Sequence, residues 1–488
     1  MNVPYSPRPQ PQFEGPLTDK AIRAMFEKAD DFTTRDVQLG KTAVTAYFID
    51  GLTSGGDISE YVVRPLTDNL PDAGEQELYD AAFHGRVYCA TASEVENLES
   101  ACTKLVNGFC VVLFPGIQKA LAFETKTGEK RSPSAPEVEK TAKGPKDAFT
   151  ETIRTNTSLL RRHLRTPKLR LEPTVVGRKS LTNCAVVWVE DLTDETMVQR
   201  VKDRLDSIDI DGFLSPAAVE EYLSGSRASA FPMLQSTERT DKFSQGLLNG
   251  QVGVLVDGLP LGYLLPVDLA TMMRSPEDRT MDYISASFLK ILRYLSLLIS
   301  LFLPALYIAM AEFHQEMLPT SLLLSIIESK QSVPFPTIVE VLGLLVAFEL
   351  LQAAGLQLPQ SVGQTVSIIG GLVVGSAAVE AKLISPAALI VVAVAGICGY
   401  TLSGQDFSGA VRIWRFGLSV CAAVAGLFGI VAGFLALLIH LAGLESMGRS
   451  YLAPFSRLRG GDQLLRRRLV TDKFRDPALH PRDERKQR

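Results

Sequence analysis

ILRYLSLLISLFLPALYIAM (Ile291–Met310) is a nearly unbroken apolar run, about as long as an α-helix must be to cross the hydrocarbon of a bilayer. FGLSVCAAVAGLFGIVAGFLALLIHL (Phe416–Leu441) is longer still. Between them lie Ile338–Leu356, Val362–Val379 and Pro386–Leu402, the last two short for a crossing. All five follow Ile284, so a polar first region of roughly 280 residues precedes an all-α transmembrane bundle over 284–445. The whole-chain averages conceal this division. The 488 residues are 46% hydrophobic with a net charge of -4, and the mean hydropathy is +0.13. That is too apolar for an ordinary soluble chain and too polar for membrane throughout.

In the polar region, AVTAYFID (Ala43–Asp50), GRVYCA (Gly85–Ala90), GFCVVLFPG (Gly108–Gly116) and ALAFET (Ala120–Thr125) read as strands alternating with helical patterns. They predict a small α/β subdomain over 29–143. NCAVVWVED (Asn183–Asp191), a helical run through Met197, Val198, Val201, Leu205 and Ile208, and GQVGVLVDG (Gly250–Gly258) predict a second over 179–283. Residues 144–178 read as a basic helical connector. Phe149, Ile153, Leu160 and Leu164 mark its apolar face, and Arg154, Arg161, Arg162, Arg165, Lys168 and Arg170 supply charge. Such a helix is either a solvated link or a docking element for an acidic subunit surface or lipid headgroups. Residues 1–28, rich in Pro and Gln and lacking an export signal, read as a disordered lead.

The six cysteines form no CxxC pair and two fall in membrane segments, so they read as reduced core residues. No P-loop, GxGxxG, GxSxG or HExxH pattern occurs, and five histidines leave little material for acid–base or metal chemistry. Asp209 and Asp211 in DSIDIDGF read as turn chemistry. Catalysis, a cofactor, a metal and nucleic acid are not expected.

The tail over 446–488 carries twelve Lys and Arg against five Asp and Glu from Arg449 onward, which places it on the cytoplasmic side. With the polar first region on that side too, the crossings must be even in number, and four is the expectation. The segment expected not to span is VGQTVSIIGGLVVGSAAVE (Val362–Glu380), where Gln364, Thr365, Ser367, Gly371 and Ser376 are pore-lining candidates. The alternative is close packing, because Gly371 with Gly375, like Gly429 with Gly433, forms a GxxxG face. Ionisable residues in or beside the apolar segments are Glu340, Glu349, Glu380 with Lys382, and Arg412 with Arg415. Glu349 lies deepest. It either pairs with a basic residue on another helix or joins a ring of carboxylates favouring cations; Glu380 is a further pore candidate.

Four blocks carry a family resemblance: Gly144–Glu172, Leu318–Ile326, Pro334–Pro359 and Gln364–Ile397. From about Asp30 to Arg457 the chain resembles the A subunits of GerA-type spore germination receptors, including their SpoVAF-like relatives. The resemblance implies a subunit of a complex in the spore inner membrane, multi-pass, with both termini on the cytoplasmic (core) side. It implies a ring-shaped homo-oligomer acting as a nutrient-gated channel for monovalent cations, beside a transporter-like B-type subunit and a lipoprotein C-type subunit. It leaves open an accessory channel of the SpoVAF-like kind and a non-conducting scaffold.

Overall fold

Apolar runs such as FCVVLF bury side chains on both faces of a strand, so the sheet they build has to be covered on both sides. In the computed structural model this is β4 (Phe109–Phe114), the centre of a five-stranded sheet with β1 (Phe32–Leu39), β2 (Thr42–Ile49), β3 (Ala92–Val95) and β5 (Lys119–Glu124). The order is β1-β2-β4-β5-β3, antiparallel throughout. Val111 and Leu113 face Ile22 of helix α1 (Asp19–Met25) and Ala101 and Leu105 of α2 (Leu98–Val106). Cys110, Val112 and Phe114 face Ile58, Val62, Leu78 and Tyr79. The structure describes residues 15–39, 42–69, 74–89, 91–126, 135–141, 143–225, 229–357, 373–456, 475, 483, 485 and 486.

A second five-stranded sheet repeats the first. It is built from β6 (Leu169–Val176), β7 (Thr182–Val189), β8 (Gln235–Thr237), β9 (Val252–Val256) and β10 (Gly262–Leu265), in the order β6-β7-β9-β10-β8. Helix α3 (Ile153–His163) precedes its first strand, α4 (Glu195–Asp206) follows β7, and α5 (Thr240–Leu248) precedes its central strand. In both sheets the helix before the central strand ends at an Asn followed by a Gly with positive φ, 81° at Gly108 and 96° at Gly250. Only such a residue turns the chain from helix into strand without strain.

Three expectations need correction here. The lead at 1–28 contains α1, which starts where the Thr18 hydroxyl accepts from the Ala21 N–H. Gly85–Cys89, the described part of the run Gly85–Ala90, is not a strand: Ala82–Arg86 is helical and the edge strand is β3, a few residues later. The stretch 144–178 is not a separate link, since it supplies α3 and β6. Phe149, Leu160 and Leu164 pack there with Leu171, Val187 and Phe243. Arg161, expected among the solvated charges, is fully buried. Its Nε and Nη2 donate to Asp31 Oδ2 and Oδ1, each at 2.7 Å. Beside it, Asp30 N–H donates to Leu171 O and Leu171 N–H to Lys28 O, both at 3.1 Å, and Arg154 pairs with Asp50.

These sheets belong to one compact unit, Met1–Ser226 with Leu234–Pro266 and Asp472–Arg488; Arg227–Met233 with Val267–Thr471 form the other. The second unit is helical, with α6 (Tyr283–Glu312), α7 (Thr320–Lys330), α8 (Thr337–Gln357), α9 (Pro386–Tyr400) and α10 (Gln405–Ala442). Among the described residues three helices are long and apolar enough to cross a membrane, Tyr283–Glu312, Thr337–Gly355 and Gln405–Ala442, and Pro386–Tyr400 is apolar but shorter. Ala305, Ile308, Leu344, Val392, Phe407 and Leu418 form the shared core.

Helix α10 does not run straight. Ala425 (φ -137°, ψ 18°) and Gly426 (φ 58°, ψ -136°) leave helical geometry, and the chain reverses there. The two limbs return alongside each other, so that Gly429 meets the Cys421 carbonyl and Gly433 meets Leu418. Orientation follows from contacts along the other helices. Ser385 lies at Glu340 and Gly396 at Phe348, so α8 and α9 run parallel. Ser300 lies at Gly399, and Gly426 packs on Phe313 and His314 at the far end of α6.

Candidate functional site

Charge inside an apolar helix is retained only where protein or water offsets its desolvation, so the charged residues of the bundle mark its candidate site. Arg412 and Arg415 are three apart on the first limb of α10 and therefore share a face. They grip one carboxylate of α8. Glu349 Oε2 accepts from Arg412 Nη1 at 3.0 Å and Oε1 from Arg415 Nη2 at 2.9 Å. Arg415 also reaches the Ala395 carbonyl of α9 at 3.5 Å, so one ionic cluster ties three helices. Its side chain is 4% exposed, against 26% for Arg412 and 40% for Glu349. With two guanidiniums on one carboxylate the cluster carries +1. Of the two arrangements open from the sequence, the structure places Glu349 in the ion pair.

Glu340 serves a different end. Its Oε2 accepts from the Ser385 N–H at 3.0 Å and from the Ser385 hydroxyl at 2.6 Å. The carboxylate thus caps the N-terminus of α9 while lying in the first turn of α8, where two helix dipoles favour negative charge. Its other oxygen, Oε1, is buried with no hydrogen-bond partner among the described residues.

The remaining candidates divide. Gln364, Thr365, Ser367 and Gly371 lie outside the described residues. Gly375 is buried in the turn Val373–Ala377 against Leu389, while Ser376 and Glu380 are exposed. Because α8 and α9 run parallel, the end of α8 and the start of α9 lie at opposite ends of the bundle. Gly429 and Gly433 form their close contact within this chain's own hairpin. Among the described residues no group of three His, Cys, Asp or Glu is placed to hold a metal ion.

The sequence reading missed two buried cations at the head of α6, Lys290 and Arg293. Arg293 lay in plain view inside the first apolar run. Its partner Asp278 precedes that run and marks no pattern of its own. The reversal at Ala425–Gly426 was also missed; its one signal was an apolar run several residues longer than a crossing needs.

The family model described as Bacillus/Clostridium GerA spore germination protein matches residues 20–478. Spore germination protein B1 of Bacillus subtilis (strain 168) is 35% identical over 420 residues, 85% of this chain and 86% of that protein. Spore germination protein A1 of the same organism is 35% identical over 445 residues, 90% of this chain and 91% of that protein. Among solved structures, the N-terminal domain of the A subunit of the Bacillus megaterium spore germinant receptor GerK3 aligns with a TM-score of 0.39 at 24% identity, covering 50% of this chain and 91% of that chain.

Proposed function

Since the chain belongs to the GerA family of spore germination proteins, we propose that it is a membrane subunit of a germinant receptor complex, in which several copies form a nutrient-gated channel releasing monovalent cations. In this proposal the complex sits in the spore inner membrane with both termini of the chain on the core side. A transporter-like B-type subunit and a lipoprotein C-type subunit complete it.

The observation that carries the reading is the exposure of the cluster around Glu349. A carboxylate 40% exposed on a spanning helix does not face lipid tails, because the cost is several kcal/mol. Water or a second copy meets it, and a ring of copies around a watery path supplies both. Glu349 itself is taken by two guanidiniums and offers cations no free charge. The cation path of this proposal therefore follows Gln364, Thr365, Ser367, Gly371 and Ser376, with Glu380 near its end.

The net +1 of the cluster favours one rival, a non-conducting scaffold that docks an acidic face of its partner subunit. Reconstitution of the assembled complex in potassium-loaded vesicles separates the two. Nutrient-dependent efflux that changes when Ser367 or Ser376 is enlarged supports the channel; an assembled complex without efflux overturns it.

A further inference from the structure

The head of α6 holds two buried cations, Lys290 and Arg293, beside one buried carboxylate, Asp278. Lys290 and Arg293 share a helix face and are 7% and 8% exposed. Arg293 spends its guanidinium on Asp278, with Nη1 donating to Oδ2 at 2.9 Å and Nη2 to Oδ1 at 3.0 Å, and on the Met273 carbonyl at 2.7 Å. Asp278 Oδ2 also accepts from the Ser275 N–H at 2.9 Å, so both carboxylate oxygens are engaged. Lys290 makes no hydrogen bond or ion pair with any described residue. The charged groups acting on it are Arg274, Asp278 and Arg293. One turn on, the Tyr294 hydroxyl is buried without a hydrogen-bond partner among the described residues and feels the same two arginines. Asp268, the other carboxylate near Tyr294, is held by Arg449 at 2.6 Å.

A largely buried lysine with no carboxylate of its own is costly unless an anion meets its ammonium. Lys290 stands one residue before the apolar run beginning at Ile291, the depth at which headgroups meet a spanning helix. We propose that Lys290, with Arg274, Arg293 and the Tyr294 hydroxyl, forms a binding site for a phosphate oxyanion, the group common to anionic phospholipid headgroups and free inorganic phosphate. The phosphate oxygens accept from the Lys290 ammonium and the Tyr294 hydroxyl, and the arginines supply the field. The site stands independently of whether the chain conducts ions.

The test uses the full-length protein, purified in neutral detergent and stripped of lipid. It is melted with phosphatidylglycerol, with phosphatidylcholine, and with inorganic phosphate against chloride at matched ionic strength. Phosphatidylglycerol is expected to raise Tm by roughly 5 °C at about a hundredfold excess over its Kd, and phosphatidylcholine to leave it unchanged. An equal rise with inorganic phosphate assigns the site to a soluble anion; a rise with the lipid alone assigns it to the headgroup. Lys290→Gln is expected to abolish the rise while melting no lower than the wild type without anion, since it removes a like charge. Tyr294→Phe, which keeps the ring packed on Phe455, is expected to reduce the rise and serves where the lysine variant yields no protein. No shift with any phosphate-bearing anion, or an undiminished shift in both variants, overturns the proposal.

Discussion

The rings of Trp414 and His440 lie 5.6 Å apart, centroid to centroid, whereas a continuous helix would hold these residues roughly 39 Å apart. The reversal at Gly426 accounts for the difference, and a side chain there would meet Phe313 Cβ at 2.9 Å with φ at +58°. Gly426→Ala is expected to cost about 3 kcal/mol from left-handed strain and overpacking together. Gly443→Ala, where a Cβ meets only carbonyl oxygens at 3.5 Å, is expected to be nearly neutral. Thermal melting of both variants in detergent checks the pair; equal melting contradicts the hairpin.

The hairpin also predicts sidedness. Reporters fused after Ser403 and after Ser446 are expected to show the same side of the membrane, with one fused after Gln331 on the other. A single crossing by α10 would put the first two on opposite sides.

Glu349→Gln leaves the nearly buried Arg415 without its charge partner. Breaking a buried ion pair costs about 3–5 kcal/mol, and the partial exposure of Glu349 puts this one at the lower end. The expected result is less protein in the membrane, with Glu349→Met combined with Arg415→Met recovering part of it. Normal protein levels with altered cation selectivity would instead return Glu349 to the conduction path.

In the α/β unit, Arg161→Lys is expected to destabilise despite keeping the charge, because an ammonium cannot donate twice in the planar geometry Asp31 accepts. The loss should be about 2 kcal/mol, and about 3 kcal/mol or more for Arg161→Met, which strands the carboxylate. Limited proteolysis and melting curves measure both.

Asp147 sets an acid limit. Hydrogen bonds from His163 Nε2 at 2.7 Å and the Thr240 hydroxyl at 2.9 Å favour its charged form against partial burial. Its pKa is lowered from 3.8 to about 2. A depressed folded-state value means that the stabilisation is complete above the unfolded value, near pH 4, and is lost as pH falls toward 2. Asp147→Asn is expected to flatten the stability profile in that window. An unchanged profile would show that the contact contributes nothing.

The central strands were legible because β2, β4, β7 and β9 are buried runs rich in β-branched residues and β5 is a short buried apolar run between turn residues. The edge strands were not. β1 (FTTRDVQL) and β6 (LRLEPTVV) mix charges and a proline into an edge, and β6 thereby passed for part of a basic connector. β8 is three residues long and leaves no pattern. In the bundle, the spacing of Arg412 and Arg415 announced a shared face, but the carboxylate they hold lies more than sixty residues earlier. No local period reports such a pairing.

The bidentate contact between Arg161 and Asp31, with the strand-like bridge from Ala29 to Leu171 beside it, joins the two repeated sheets by a stiff weld. A torque applied to one sheet by a ligand or neighbouring subunit finds no soft joint there to absorb it. A rotation imposed on one sheet is therefore passed to the other through Arg161 and Asp31 rather than taken up between them.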